Sequence, residues 1–250
     1  MSDKTGEPHE AAALEAFPAT ELLLEHLQTS ANPENVEGMA QFGINREGTL
    51  GVPVKTLRSV AREVLKGRRR DPVWRHAVAA RLWDSGVHEA RILASILDEP
   101  TLVTREQVES WVAALDSWDT TDQLCLNLLD KTPFAYELAM ELAPRREEFV
   151  KRAGFALIAC LAWHDKDAPD EAFLPFLDTI EREADDGRNY VTKAIDWALR
   201  NVGKRSVPLN TRALEVARRL AGREERSARR VGRVAAKELE SDRVRDRLGL

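Results

Sequence analysis

Three stretches of the chain bring together residue types that could do chemistry. In the first, Trp118 and Asp122 lie four apart within Asp116-Ser117-Trp118-Asp119-Thr120-Thr121-Asp122-Gln123, so on a helix they share a face. A carboxylate beside an aromatic face can stabilise a developing positive charge, one by its own charge and the other by the ring quadrupole. The second is Arg152, which interrupts an otherwise apolar run between Phe149 and Trp163. A guanidinium there would either pair with a buried carboxylate or reach a cavity. The third is Lys193, Trp197, Arg200 and Lys204, at helical spacing and followed by Arg205. A basic stripe broken by an aromatic suits a surface that tracks phosphates. Each stretch also has a plainer account. Ser117 or Asp119 can cap a helix whose dipole Asp122 complements. The tryptophans can be core, and Arg152 can close a helix-end salt bridge. The residues alone leave both accounts open.

Helices must position these side chains, and the chain reads as helix nearly throughout. Short breaks containing Pro or Gly separate segments with apolar residues three and four apart. The spacing predicts a helix over 19–30, after Pro18, and another from Pro33 to near Phe42, followed by a loop over 43–53. Helices over 54–66 and 72–84 flank the basic turn Gly67-Arg68-Arg69-Arg70, and 88–98 follows. Thr104 and Gln107 have capping-box spacing and launch the next helix. Helices over 119–130, 134–142, 146–163, 171–183, 188–202, 210–220 and 224–239 complete the series. β-Branched residues never alternate with polar ones over a strand length. The expected class is all-α: an α-solenoid of HEAT-like antiparallel helix pairs, with corresponding helices about 35–45 residues apart. Such a stack has a concave face suited to duplex nucleic acid; a plain helical bundle is the other architecture. The expected boundaries are a polar N-terminal segment, 1–18, and a single helical-repeat domain, 19–250.

Composition narrows the classes. Of 250 residues, 43% are apolar and 32% charged, enough for a core beneath a solvated surface, which excludes wholesale disorder. No apolar run approaches the roughly 20 residues that cross a bilayer, and residues 1–10 lack the order of a secretory signal. The expectation is a cytoplasmic protein with no membrane partner. Cys125 and Cys160 sit in apolar helical patterns as reduced thiols, and the five histidines are scattered, so no metal site and no cofactor are expected. The net charge of −5 hides an asymmetry: residues 188–250 hold 17 Lys or Arg against 8 Asp or Glu. That excess can mark a face for a polyanion.

Taken together, Leu82-Trp83-Asp84-Ser85-Gly86-Val87-His88-Glu89-Ala90-Arg91, the Trp118 to Asp122 stretch, Lys151-Arg152-Ala153-Gly154 and Lys193-Ala194-Ile195-Asp196-Trp197-Ala198-Leu199-Arg200 resemble the AlkD-type DNA alkylation repair glycosylases. The resemblance runs from about Met39 to Leu239. It implies a monomeric, cofactor-free enzyme that binds double-stranded DNA and excises positively charged N-alkylpurines such as 3-methyladenine and 7-methylguanine. It also implies that the lesion stays stacked rather than being extruded. By the same resemblance Asp122 matches the catalytic carboxylate, Trp118 and Trp197 the aromatic pair flanking the deoxyribose, and Arg152 the backbone-contacting arginine. DNA contact is further expected from Lys193, Arg200, Lys204 and Arg205. The alternative is a non-catalytic HEAT-like scaffold that binds nucleic acid or protein on its concave face.

Overall fold

A computed structural model describes residues 6–250. Among these residues there are fourteen α-helices and no strand: α1 (Gly6–Thr29), α2 (Pro33–Ala40), α3 (Val54–Arg68), α4 (Pro72–Asp84), α5 (His88–Leu97), α6 (Arg105–Ala113), α7 (Trp118–Asn127), α8 (Ala135–Leu142), α9 (Glu148–His164), α10 (Leu174–Glu183), α11 (Asn189–Gly203), α12 (Val207–Ala221), α13 (Arg226–Leu239) and α14 (Asp242–Leu248). Prolines in the first turns of α2, α4, α10 and α12 do what their fixed φ and missing N–H allow there. The chain divides into two compact units, Met1–Pro133 and Phe134–Leu250, where sequence reading expects one domain over 19–250.

In the first unit, α1 begins at Gly6 and runs through Pro18 instead of starting after it. Much of the expected polar segment is therefore helix; Met1 to Thr5 lie outside the described residues. Proline removes a single helical hydrogen bond. Ala16, Thr20, Leu23 and Leu27 form one buried stripe across it, and α1 packs on α4 along that side of the helix. Packing of the stripe outweighs the local loss. Helix α4 packs in turn on α5, which also meets α3 and α7. Trp83 and Trp111 stack face to face at 4.2 Å in this core, both buried. The capping box is half made: Thr104 Oγ1 accepts from Gln107 N, but the Gln107 amide donates to Asp98 instead.

The second unit is organised around α9, which is buried continuously from Val150 to Ala162 and packs on α8 and α11. A helix apolar on all sides belongs in a core. Gly154 lets it approach α8, because a Cβ there would overlap the Ala143 backbone. Helix α11 contacts α12 and α13, which pack together. Helix α14, after the last expected helix, adds one short piece against α13. Both cysteines are buried and unbonded to each other. No helix among the described residues is long and apolar enough to cross a membrane.

Candidate functional site

Helix α7 opens at Trp118, which places Trp118, Asp119, Asp122 and Gln123 along the rim of a recess of about 360 Å³ in the first unit. The opposite walls are apolar: Met39, Ile44, Val52 and Pro53, with Ile92 of α5. Trp118 is half-buried, and its indole Nε1 donates to Phe42 O at 3.1 Å, which fixes the ring against the loop over 43–53. Asp122 is half-buried one turn further on.

That loop is anchored from several sides: Asn35 Nδ2 donates to Gly51 O, Asn32 N to Leu50 O and His88 N to Gly48 O, each at 2.8 Å. The Glu89 carboxylate, 1% exposed, accepts from Leu50 N at 2.9 Å, Gly51 N at 2.7 Å and Val52 N at 3.1 Å. Gly51 has φ +77°, and a Cβ there would overlap the Asn32 carbonyl, so glycine is required at this crossing. His88 Nε2 meets Asp119 Oδ2 at 2.9 Å, and Ser117 Oγ donates to Asp119 Oδ1 at 2.8 Å. Burial pushes the His88 imidazole down, but Asp119, with Glu89 and Asp116 nearby, outweighs it and holds the pKa above its ordinary value. Burial likewise raises Asp119, and the His88 pairing overcomes it, leaving that carboxyl below its ordinary value. The result is a hydrogen-bonded His88–Asp119 pair beside the recess, with Asp122 on the same helix face as Trp118. An apolar recess with a tryptophan and carboxylate at its rim can stabilise a cation more strongly than water does.

In the second unit the expected residues have different surroundings. Arg152 is 5% exposed, and its Nη1 donates to Tyr190 O at 2.6 Å. Arg205 is expected on DNA, yet its guanidinium donates to the carbonyls of Ala162, Asp165 and Ala168 and lies 3.9 Å over the Phe173 ring. This ties the end of α9 to α11, a structural task for which a planar fork is suited. Arg200 pairs with Asp196 at 2.8 Å and Glu238 at 2.6 Å, and Lys204 with Glu238 at 2.9 Å. Burial raises the Asp196 carboxyl more than Arg200 lowers it. Lys193 is exposed and lies 5.9 Å over the Tyr190 ring, without a carboxylate partner among the described residues. Trp197 is half-buried and faces a second recess, of about 280 Å³, with Trp163, Lys166, Asn201, Lys204 and Arg247. Among the described residues no cluster of His, Cys, Asp or Glu could hold a metal ion.

The family model of the DNA alkylation repair enzymes matches residues 23–239. The chain belongs to this family. A solved structure described as "a new family of proteins related to the HEAT-like repeat DNA glycosylases with affinity for branched DNA structures" is similar in fold, with a TM-score of 0.70 and 17% identity. The likeness covers 92% of this chain and 96% of that one. The fold of this DNA alkylation repair family member is thus all-helical and of the HEAT-like repeat kind. No curated protein matches its sequence.

Sequence reading missed several residues of these recesses. His88 and Glu89 stand in the motif that carries the resemblance, but Glu89 has its partners 37 to 39 residues away, a distance no helical period reveals. Arg58 of α3 reaches Gln123 at the recess and Asn127 one turn beyond it. Trp163, 53% exposed, ends an apolar run that reads as core.

Proposed function

We propose that this family member is a monofunctional DNA glycosylase that hydrolyses the N-glycosidic bond of positively charged N-alkylpurines, 3-methyladenine and 7-methylguanine, in duplex DNA. The observation that carries the reading is the pair Trp118 and Asp122, one turn apart on the rim of an apolar recess. In the reaction the C1′–N bond breaks with its electron pair leaving on the base. The cationic purine departs neutral, and the sugar becomes an oxocarbenium-like cation. Water adds at C1′ and loses a proton, giving an abasic site. Because the leaving group is already cationic, the protein's task is to stabilise the sugar cation. Asp122 does so by its charge, while Trp118 offers its aromatic face to the sugar. Lys193 contacts the phosphodiester, and Arg152 holds the backbone of α11 through Tyr190 beside it. The protein acts as a monomer on double-stranded DNA and needs no cofactor.

The test is single-turnover release of 7-methylguanine from methylated duplex, beside a binding titration. Asp122→Asn should slow release by about 10²–10³-fold and leave affinity nearly unchanged, since the charge it stabilises exists only near the transition state. Release at the parental rate would make Asp122 a helix-end residue. A second reading is favoured by the affinity for branched DNA of the structurally similar protein: a DNA-structure binder without catalysis. Under that reading the parent protein binds branched DNA and releases no base.

A further inference from the structure

The proposed chemistry at Trp118 and Asp122 gives the second unit's recess no task. Trp163, next to last in α9, has 53% of its surface exposed and stacks on His164 at 4.8 Å. An exposed tryptophan beside a half-buried one is uncommon without a ligand to share them. The rim is cationic. Lys204 is neutralised by Glu238, but neither Lys166 nor Arg247 has a carboxylate partner among the described residues. Burial pushes the Lys166 amine down, and the Arg205 and Arg247 cations push it further. Like charges gathered without an acid favour an arriving anion. The recess shares Lys204 and Arg247 with a wider trough of about 820 Å³ that continues past Lys237, Arg243 and the one lining acid, Glu238, which Arg200 and Lys204 pair. Arg243 and Arg247 come from α14, which begins beyond the residues matched by the family model.

We propose that this recess receives one unpaired nucleotide of a branched or flapped DNA, its base against Trp163 and Trp197 and its phosphates on Lys166 and Arg247. A recess of about 280 Å³ lies at the small end of ligand pockets, which span roughly 300–1,000 Å³. It suits a single ring system rather than a duplex. A nucleobase offers its face to an aromatic only when it is out of the stack, and sequence-independent binders of single strands pair aromatic platforms with a cationic track in this way. The adjoining trough gives the flanking strand its path. The proposal rests on DNA being the partner, as the glycosylase reading also holds, but needs no base release.

The experiment is fluorescence anisotropy of the full chain with three labelled DNAs: an intact duplex, the same duplex carrying a single-stranded flap, and the single strand. Trp163→Ala, at an exposed position, and the pair Lys166→Glu with Arg247→Glu are compared with the parent. The parent should prefer the flapped duplex. Trp163→Ala should weaken binding to the flap at least about fivefold, the low end for one stacked base, with intact-duplex affinity and 7-methylguanine release unchanged. The charge-reversed pair should flatten the salt dependence on the single strand by about 0.7 for each phosphate no longer neutralised. Equal weakening on the intact duplex, or none on the flap, would overturn the proposal. The two readings fail separately. A parent that releases no base but loses flap preference in Trp163→Ala ends the glycosylase reading and sustains this one; the reverse pattern does the opposite.

Discussion

Glu89 takes more backbone N–H groups of the loop beside the first recess than any other side chain, and its removal has a calculable consequence. Its carboxylate accepts three backbone N–H groups, two of them on Oε1, from the loop that supplies Val52 and Pro53 to the recess. A hydrogen bond to a charged acceptor contributes about 1.5–3 kcal/mol, and a buried donor left unpaired costs about 1–3 kcal/mol. Glu89→Gln keeps the two bonds to Oε1 in neutral form and turns an amide NH₂ toward Leu50 N–H, donor against donor. The expected loss is about 2–4 kcal/mol. Glu89→Ala orphans three donors, those of Gly51 and Val52 in buried surroundings, for about 3–6 kcal/mol, above the usual range for one substitution. Urea unfolding reads the global part. Amide exchange at Leu50, Gly51 and Val52 reads the local part, which should accelerate about 30-fold for each 2 kcal/mol. Base release should fall along with loop order. If Glu89→Ala left both the unfolding midpoint and the three amides unchanged, the loop would be held by something else, and the recess wall would not depend on Glu89.

Two further outcomes follow from the same structure. The His88 pKa is raised by Asp119, so the pair's contribution through His88 is fully present below pH 6.5 and is lost as pH rises through the raised value. Through Asp119, whose pKa is lowered, it is present above 3.8 and lost as pH falls through the lowered value. Thermal unfolding of the parent across neutral to alkaline pH should show the first loss, and His88→Gln should abolish that pH step. Arg205→Ala should destabilise the second unit by about 2–4 kcal/mol in urea unfolding while leaving duplex affinity in an anisotropy titration unchanged; a stable variant with weakened affinity would return Arg205 to the DNA surface.

What could be read from residues alone was what lies within a helical turn or is punctuated by Pro and Gly. Trp118 and Asp122 share a rim because four residues is one turn, and that holds wherever the segment is helical. The starts of α3, α4 and α5 fall where proline, aspartate and glycine put them. The misses are long-range. Pro18 reads as a boundary, and only the buried stripe against α4 carries the helix through it. Arg205 reads as the end of a basic stripe, because its three carbonyl acceptors lie 37 to 43 residues back in the chain. Trp163 reads as core because an apolar run does not say where its burial stops.

The same distinction resolves the tension between an acidic chain and the proposed DNA partner. A cation that pairs with a neighbouring carboxylate is nearly absent from the field an approaching polyanion meets, whatever it adds to the composition. Between 188 and 250, Arg188, Arg200, Lys204, Arg212, Arg218, Arg219 and Arg223 each have such a partner. Arg230, Arg233 and Lys237 form no ion pair among the described residues; they are exposed and follow at three- and four-residue spacing, which sets them on one face of α13. Arg243 and Arg247 of α14 continue beside Lys237 around the trough. The basic stripe that spacing suggests on α11 is therefore largely neutralised by Asp196 and Glu238, and the cations without an ion pair stand on α13 and α14. Pairing, not net charge, decides which surface of this chain a phosphate backbone would be drawn to.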